Sequence, residues 1–316
     1  MTRARLTEDV RAAVRDAVRG TVRSDEELAP HTSWRVGGPA DLWVEPADVD
    51  DLRAALAVFA AHEVPWIVLG KGSNVLVADA GVRGAVLNLE EGLRELRHEV
   101  DALGPGVHRL VAGAGAAIAG VLHYVVRHQI EGLELWTGIP GTVGGAVVMN
   151  AGTHLGETKD ALLDATIMGA DGAVSVRDAA ALGLSYRHSA LRAGEVVVGA
   201  TFRVRTALDS SFAQVIQETK ARRRATQPVT LPSGGSTFAN PPGDHAWRLV
   251  DAAGLRGHVI GGAQISELHP NFIVNLGDAT AADIAALMRL AMTEVEQRFG
   301  VRLRPEVVRV GEWEGE

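Results

Sequence analysis

The chain has 316 residues and a formal net charge of −8, from 31 Lys and Arg residues against 39 Asp and Glu residues. Hydrophobic residues make up 47% of it, and none is cysteine. This composition is typical of a folded protein and excludes a disordered chain, a collagen-like fibre and a disulfide-stabilised scaffold. The acidic balance argues against broad contact with nucleic acid. The missing thiols exclude disulfides, cysteine nucleophiles and thiolate zinc sites.

Length and the N-terminus set two further expectations. The chain exceeds the roughly 250–300 residues at which a single core stops growing, so we expect two or three domains. Residues 1–20 alternate Arg with Ala and Val and contain no apolar run long enough for a signal peptide or a membrane span. We therefore expect a soluble, cytoplasmic protein with no membrane partner.

Helices and strands alternate at first, and strands dominate the middle of the chain. Apolar residues at helical spacing predict helices over residues 6–22, 49–61, 118–128, 211–225, 246–253 and 281–299. Short apolar runs predict strands over 41–44, 66–69, 75–77, 85–89, 108–112, 165–168 and 196–202. A last apolar run, 306–310, follows Pro305 and is expected to return as a strand to an earlier sheet.

Two glycine-rich segments are candidate ligand loops. Gly70-Lys71-Gly72-Ser73-Asn74 follows a strand directly, and there a plain turn and a phosphate site are about equally favoured. The stretch from Gly138 to Gly152 is so rich in glycine that we expect an irregular loop close to a ligand, and no helix or strand interior. Dinucleotide and P-loop fingerprints fail, because Ile118 replaces the third glycine after Gly113-x-Gly115 and Lys71 lacks the P-loop spacing.

Other polar residues are less informative singly. His123 and His128 lie on different helical faces and no metal-ligand spacing is present, so we expect no metal site. The basic run 220–224 is either a solvated helix face or a cluster that meets a multiply charged anion. Three further polar residues have ordinary structural interpretations when taken alone: a surface charge for Arg187, a turn residue for Ser236 and an edge-strand position for Glu306.

Taken in order, these segments resemble the UDP-N-acetylenolpyruvoylglucosamine reductase family, FAD enzymes that complete UDP-N-acetylmuramate for bacterial peptidoglycan. The resemblance begins at His31-Thr32-Ser33-Trp34-Arg35-Val36-Gly37-Gly38-Pro39-Ala40 and covers almost the whole chain beyond the first ~30 residues. It continues through residues 70–77, 138–152, 186–189, 231–241, 253–262, 271–277 and 303–307.

The resemblance implies an α+β fold: an FAD-binding fold of the vanillyl-alcohol-oxidase (PCMH) type in two subdomains, plus a C-terminal α+β substrate-binding domain. We place the first subdomain at 1–85, joined by 304–316, the second at 86–206 and the substrate-binding domain at 207–303. The implied cofactors are FAD and NADPH, and the implied substrate is enolpyruvyl-UDP-N-acetylglucosamine. The Gly70 loop holds no histidine, which favours noncovalent FAD. We expect a monomer.

The resemblance also assigns residues. Flavin contacts fall on Gly70, Lys71, Gly72, Ser73, Asn74, Gly138, Ile139, Gly141, Thr142, Gly144, Gly145, Asn150, Ala151 and Gly152. The catalytic set is Arg187, Ser236 and Glu306: Arg187 and Glu306 meet the substrate carboxylate, and Ser236 protonates carbon after hydride transfer from the flavin. Substrate contacts fall on Tyr186, Arg224, Asn240, His269 and Asn271.

Two departures and two alternatives accompany this interpretation. Ala239 stands where family members often carry a basic residue, with 222–224 as candidate replacements, and the spacing from Arg187 to Ser236 leaves no room for the extra tyrosine-bearing loop of one family branch. One alternative is another FAD oxidoreductase of this fold that acts on a sugar lactone or hydroxy acid. The other is a noncatalytic flavin- or nucleotide-sugar-binding protein. The complete set of Arg187, Ser236 and Glu306 argues against both.

Overall fold

The computed structural model describes residues 4–313, and it alternates helices with several small sheets. None of the helices in this part of the chain is long and apolar enough to cross a membrane. The helices are α1 (Glu8–Ala17), α2 (Val49–Ala61), α3 (Ile118–Arg127), α4 (Val143–Val148), α5 (Thr158–Ala161), α6 (Ser211–Thr226), α7 (Ala246–Ala252) and α8 (Ala281–Phe299).

A four-stranded sheet forms near the start of the chain. Its strands are β1 (Thr21–Glu27), β2 (Pro39–Glu45), β3 (Trp66–Val68) and β5 (Val82–Leu87), in the order β1-β2-β5-β3. The strands β2, β5 and β3 are parallel, so α2 serves as the crossover between β2 and β3. The short strand β4 (Val75–Val77) follows the Gly70 loop and pairs in parallel with β17 (Val308–Val310) near the other end of the chain.

The middle of the chain builds a six-stranded antiparallel sheet. Its strands are β6 (Leu96–Glu99), β7 (Val107–Gly113), β8 (Ile130–Glu131), β11 (Leu162–Met168), β12 (Val174–Asp178) and β13 (Val196–Thr206). The short hairpin β9 (Gly152–Thr153) and β10 (Gly156–Glu157) lies between them in sequence. Apolar residues of α1, α2, α3 and both sheets form one continuous core.

A second core belongs to the C-terminal part of the chain. The three-stranded sheet β14 (Val259–Ile260), β15 (Ala263–Ile265) and β16 (Ile273–Asn275) packs with α7 and α8. Trp34, Val36 and Leu76 from the N-terminal part complete this core, and the Trp34 indole N–H donates to the Ile273 carbonyl at 2.7 Å. The strand β5 runs to Leu87, two residues past the predicted end of the first subdomain at residue 85. The three-part division itself stays a prediction.

Two predicted elements differ from the structure. The predicted helix over 6–22 ends at Ala17, and Thr21 begins β1, because Arg19 and Gly20 donate their N–H groups to the buried Asp51 carboxylate and turn the chain. The glycine-rich stretch was expected to exclude a helix, yet α4 contains Gly144 and Gly145. Its N-cap Thr142 and the close approach of Gly144 to Ala114 explain this, since a larger side chain would not fit. The predicted return of the last strand to an earlier one is confirmed by β17.

Candidate functional site

The two glycine-rich segments lie directly against each other. The Ser73 hydroxyl donates to the Pro140 carbonyl at 3.0 Å. A Cβ at Gly70 would lie 2.8 Å from Thr142 Oγ1, and a Cβ at Gly141 would lie 3.3 Å from Ser73 Oγ. At this contact the Ser73 and Thr142 side chains therefore lie against bare backbone of the facing segment. Together they make one surface, which a ligand shared by both would require.

The Gly70 loop carries a run of unused backbone donors. Within residues 4–313, no acceptor takes a hydrogen bond from the N–H groups of residues 70–73. Beside them lies a cavity of about 340 Å³, lined by residues 30–33, Gly70, Lys71 and Glu90. The Lys71 ammonium pairs with the Glu90 carboxylate. Consecutive N–H groups next to open space suit an anionic diphosphate, so this loop fits the phosphates of a flavin dinucleotide.

Further along, two of the predicted flavin residues, Asn150 and Gly152, contact the Arg187 region. The fully buried Asn150 amide donates to Glu157 and to the Ser185 carbonyl and accepts from the Lys159 N–H, so its side chain supports the fold. Ala151 accepts from Thr158 through its carbonyl. The Gly152 carbonyl accepts from the Arg187 guanidinium at 3.1 Å.

Arg187 and Glu306, which are 119 residues apart, form an ion pair. Arg187 Nε donates to Glu306 Oε1 at 2.7 Å, and both side chains are largely buried. The guanidinium also lies over the Tyr186 ring, 4.8 Å from its centroid. The Nη1 amino group of Arg187 makes no hydrogen bond within residues 4–313. A planar donor pair is thus left for an incoming carboxylate.

The backbone of Arg187 is itself strained. The residues Ser185 and His188 exchange backbone hydrogen bonds across a two-residue turn, and Arg187 has a φ of +55° within it. A left-handed conformation costs a side-chain-bearing residue about 1 kcal/mol or more. Such strain persists only where the surroundings enforce it. Here the ion pair to Glu306 and the bond to Gly152 do so.

The loop that carries Ser236 is held next to Glu306 by the backbone. The Thr237 carbonyl accepts from the Glu306 N–H at 2.9 Å, and the Ala239 N–H donates to the Arg304 carbonyl. Gly234 lies under the Trp34 indole, where a Cβ would approach the ring to 2.4 Å. Ser236 is half-buried on this loop. The structure therefore places the Ser236 loop beside Glu306 and its partner Arg187, and the catalytic roles of these three residues stay a prediction.

Burial and charge shift the acidity of this region. Burial raises the pKa of the Glu306 carboxyl above its ordinary value, and the neighbouring Arg187 only partly opposes this. Burial and the charge of Glu306 raise the pKa of the Tyr186 phenol. Protonated Glu306 gains population relative to a solvated carboxyl, which lets it donate a hydrogen bond.

The predicted substrate contacts divide into buried and exposed residues. Asn271 is buried, and its amide both accepts from the Phe238 N–H and donates to the Phe238 carbonyl, so it fixes the serine loop and has little capacity left for a ligand. Asn240 is exposed and accepts from the Ala246 N–H. His269 is half-buried, and its Nδ1 has no hydrogen-bond partner among residues 4–313.

Arg224 is exposed, whereas Arg223, which the sequence analysis did not single out, lies against Gly138. The helical period of the sequence was enough to predict that Arg223 points inward. The buried residues of α6 are Phe212, Ile216 and Thr219, and Arg223 continues their spacing by four. Ala239, in place of the usual basic residue, is buried.

Comparison with known families and proteins agrees with this architecture. Residues 40–177 match the profile of an FAD binding domain. Residues 227–310 match the profile described as the UDP-N-acetylenolpyruvoylglucosamine reductase C-terminal domain. The two matches fall on the part that holds the glycine loops and on the part that holds the serine loop.

Similar proteins align along nearly the full chain. UDP-N-acetylenolpyruvoylglucosamine reductase from Anaeromyxobacter sp. (strain Fw109-5) is 48% identical over 98% of this chain and 94% of its own length. The enzyme of that name from Acidiphilium cryptum (strain JF-5) is 44% identical over 98% of both chains. The crystal structure of the Thermus caldophilus reductase superposes with a TM-score of 0.76 at 35% identity, over 92% of this chain and 98% of its own. The chain belongs to the UDP-N-acetylenolpyruvoylglucosamine reductase family.

Proposed function

We propose that this protein is an FAD-dependent reductase that converts UDP-N-acetylenolpyruvoylglucosamine to UDP-N-acetylmuramate with NADPH as the reductant. The carrying observation is the Arg187–Glu306 pair, 2.7 Å apart, joined through the Thr237 carbonyl to the loop of Ser236. Family membership supports the substrate and the flavin. The cytoplasmic location and the monomeric state belong to the same proposal.

The glycine loops would hold the cofactor. The unused N–H groups of residues 70–73 suit its diphosphate, and the adjoining backbone of Gly138 and Gly141 lets a planar ring approach closely, since both carry a positive φ and no side chain. When bound, FAD supplies hydride transfer between the nicotinamide and the substrate.

Arg187 would bind the enolpyruvyl carboxylate. Its free Nη1 amino group offers two N–H donors, and the adjacent Glu306 and Gly152 keep the guanidinium plane in place. Reduction of the double bond moves negative charge onto this carboxylate, and a preorganised donor to developing charge contributes about 3–4 kcal/mol to lowering such a barrier. Glu306, whose pKa burial raises, would donate a hydrogen bond to the same oxygens when protonated.

Ser236 would deliver the proton to carbon. A hydroxyl is a weak acid, so it serves this role only when held beside the carbanionic centre. The turn at Gly235, with a φ of +77°, and the Trp34 ring under Gly234 set the position of the loop. The proton is then replaced from solvent, which half-buried Ser236 reaches.

An anaerobic absorbance titration tests the proposal. NADPH should bleach the flavin bands of the purified protein, and enolpyruvyl-UDP-N-acetylglucosamine should restore them. Bleaching without recovery would contradict the substrate, and a protein that never binds FAD would contradict the assignment of the glycine loops.

Single-turnover kinetics test the role of Ser236. Ser236→Ala should leave flavin reduction by NADPH nearly unchanged and slow reoxidation by the substrate by orders of magnitude. Ser233→Ala, in the same loop, is the matched control and should alter neither step more than about twofold. Equal losses in both half-reactions of Ser236→Ala would remove the serine from the proton transfer.

A further inference from the structure

Asn74, the last residue of the Gly70 loop, differs from the residues before it. The N–H groups of residues 70–73 donate to no acceptor within residues 4–313, and a cavity lies beside them. Asn74 instead contacts protein through two groups. Its side-chain Nδ2 donates to the Glu306 carbonyl at 3.0 Å, and its backbone carbonyl accepts from the Val308 N–H at 3.0 Å. The loop therefore begins with free donors and ends bound to the segment of Glu306.

The pairing of two short strands brings Asn74 to this position. The strand β4 begins at Val75 and β17 begins at Val308, and these two residues are partners in a parallel pair. Parallel strands start at the same edge of their sheet, so the residue before β4 lies next to the residues before β17. Asn74 and Glu306 are 232 residues apart in sequence. Their contact thus follows from the strand pairing.

Both backbone groups of Glu306 are used, and by different parts of the site. Its N–H donates to the Thr237 carbonyl, in the Ser236 loop, at 2.9 Å, and its carbonyl accepts from Asn74. Its side chain meets a third part, since Oε1 accepts from Arg187 Nε at 2.7 Å. A carboxyl group keeps a fixed orientation only when the backbone that carries it is held in place. Asn74 supplies one of the two backbone hydrogen bonds, through a side chain that a substitution can remove.

We propose that Asn74 is a positioning residue of the reductase reaction, whose side-chain amide aligns Glu306 with Arg187 and the Ser236 loop. This inference rests on the proposed function, in which Glu306 and Arg187 meet the substrate carboxylate. The resemblance assigns Asn74 to flavin binding, and the proposal gives its side chain a second task in the half-reaction that follows flavin reduction. We expect no contact between Asn74 and the substrate, so its effect passes through Glu306.

The test compares Asn74→Ala with Asn88→Ala in the holoenzyme. Asn88 is a matched control, because its buried amide donates to the Leu69 carbonyl at 2.9 Å and supports the Gly70 loop from the other end. Its other hydrogen bonds go to Glu90. Stopped-flow absorbance measures flavin reduction by NADPH and flavin reoxidation by enolpyruvyl-UDP-N-acetylglucosamine separately. Circular dichroism shows whether each variant is folded, and Asn74→Asp, which keeps the shape but lacks the donor, replaces the alanine variant if that one unfolds.

Asn74→Ala should slow reoxidation roughly 10- to 100-fold, the effect of a small misplacement at the reacting centre, and leave flavin reduction within about threefold. Asn88→Ala should leave reoxidation of the flavin-loaded protein within about twofold. In a Glu306→Gln background, Asn74→Ala should add less than about twofold, because the carboxyl that it aligns is gone. Equal losses in both half-reactions, or the full loss in the Glu306→Gln background, would overturn the proposal.

A second arm needs no substrate. Urea unfolding at one saturating FAD concentration gives the equilibrium constant of unfolding for the wild type, Asn74→Ala, Glu306→Gln and the double variant. The change caused by Glu306→Gln should differ by about threefold or more between the wild-type and Asn74→Ala backgrounds, and should be the same in the Asn88→Ala background. Additive changes would overturn the proposal. A wild-type protein that NADPH reduces but the enolpyruvyl substrate does not reoxidise would contradict the proposed function alone, and this arm would still decide whether Asn74 aligns Glu306.

Discussion

The two halves of the site are held in shape by different means. The glycine loops, residues 70–74 and 138–145, are packed so closely at some glycines that no side chain would fit, as at Gly70 against the Thr142 side chain and at Gly72 against the His31 carbonyl. The Ser236 loop and the Glu306 segment are held by side-chain amides. The buried Asn271 amide bonds the N–H and the carbonyl of Phe238, and the part-buried Asn74, at the end of the Gly70 loop, donates to the Glu306 carbonyl at 3.0 Å.

This contrast follows from what each half must do. A loop that presents N–H groups to a phosphate must bring its backbone close to the ligand, so it is shaped by the absence of side chains. The segments that carry the Ser236 hydroxyl and the Glu306 carboxyl must keep these two groups in fixed orientations. Directional hydrogen bonds to the backbone provide that orientation. The glycine loops should therefore be destabilised when side-chain atoms are added to them. The Ser236 and Glu306 segments should be destabilised when hydrogen-bonding atoms are removed.

The largest expected effect is that of Gly72→Ala. A Cβ there would lie 2.3 Å from the His31 carbonyl oxygen and 2.7 Å from Thr32 Cα, and Gly72 has a φ of +54°. Overpacking against backbone and left-handed strain together should lower the free energy of unfolding by about 3–5 kcal/mol and reduce FAD content. Gly254→Ala, with a φ of +76° and open space around it, should lose only about 1–2 kcal/mol in the same urea titration. Similar losses would show that space at Gly72 is not limiting.

Asn271→Ala tests the Ser236 loop by removing the side-chain amide that holds it. The variant leaves the buried N–H and carbonyl of Phe238 without partners, and each unsatisfied group costs about 1–3 kcal/mol. We expect a loss of about 2–4 kcal/mol in unfolding free energy and a fall in kcat that exceeds any change in KM, because the Ser236 loop shifts. Asn240→Ala, at an exposed position with one hydrogen bond, should lose about 1 kcal/mol or less. A raised substrate KM with unchanged stability would instead make Asn271 a ligand contact.

Much of the fold could be predicted because its elements obey simple periodicities. The predicted helices over 49–61 and 281–299 have the observed bounds, and the FAD-binding α+β fold is confirmed by the two domain matches and the superposition on the Thermus caldophilus reductase. The strand β1 was not predicted. Its burial pattern is mostly exposed, so hydrophobic alternation carries no signal there, and its pairing with β2 depends on contacts distant in sequence.

The sequence allowed the candidate site residues to be named, but it did not predict their geometry. Motif order grouped Arg187, Ser236 and Glu306 as a predicted catalytic set. The hydrogen bonds of Asn150 and Asn271 depend on which backbone groups need partners, and only the folded chain shows that. The choice between Arg223 and Arg224 was within reach of the helical period. Motif likeness alone does not say which of two adjacent arginines points inward.

Asp79→Ala probes the connection between the N-terminal part of the chain, which carries the Gly70 loop, and helix α8 of the C-terminal part. Its carboxylate accepts from the N–H groups of Ala281 and Ala282 at 2.8 and 2.9 Å, so a residue of the N-terminal part caps α8 of the C-terminal part. Loss of such a cap should cost about 1 kcal/mol in thermal or urea unfolding, more at low salt, since the carboxylate also faces the positive end of the helix dipole. Exposed Asp278, changed to alanine, is the control and should stay within about 0.5 kcal/mol. Equal losses would mean that the capping bonds contribute nothing.

Glu306→Gln should change how stability depends on pH. Since the pKa of Glu306 is raised in the folded state above the ordinary value of 4.5, the wild type loses stability as pH rises from about 4.5 through that raised pKa. The variant has no such loss, so its stability relative to the wild type should increase from pH 4 to pH 7, by no more than about 1.4 kcal/mol per pH unit. Glu195, whose pKa the Arg177 guanidinium lowers to about 2, must show the opposite sign: its stabilisation is present above about pH 4.5 and disappears toward pH 2. If Glu306→Gln followed the slope of Glu195→Gln, the ion pair with Arg187 would outweigh burial, and Glu306 would be ionised when the substrate arrives.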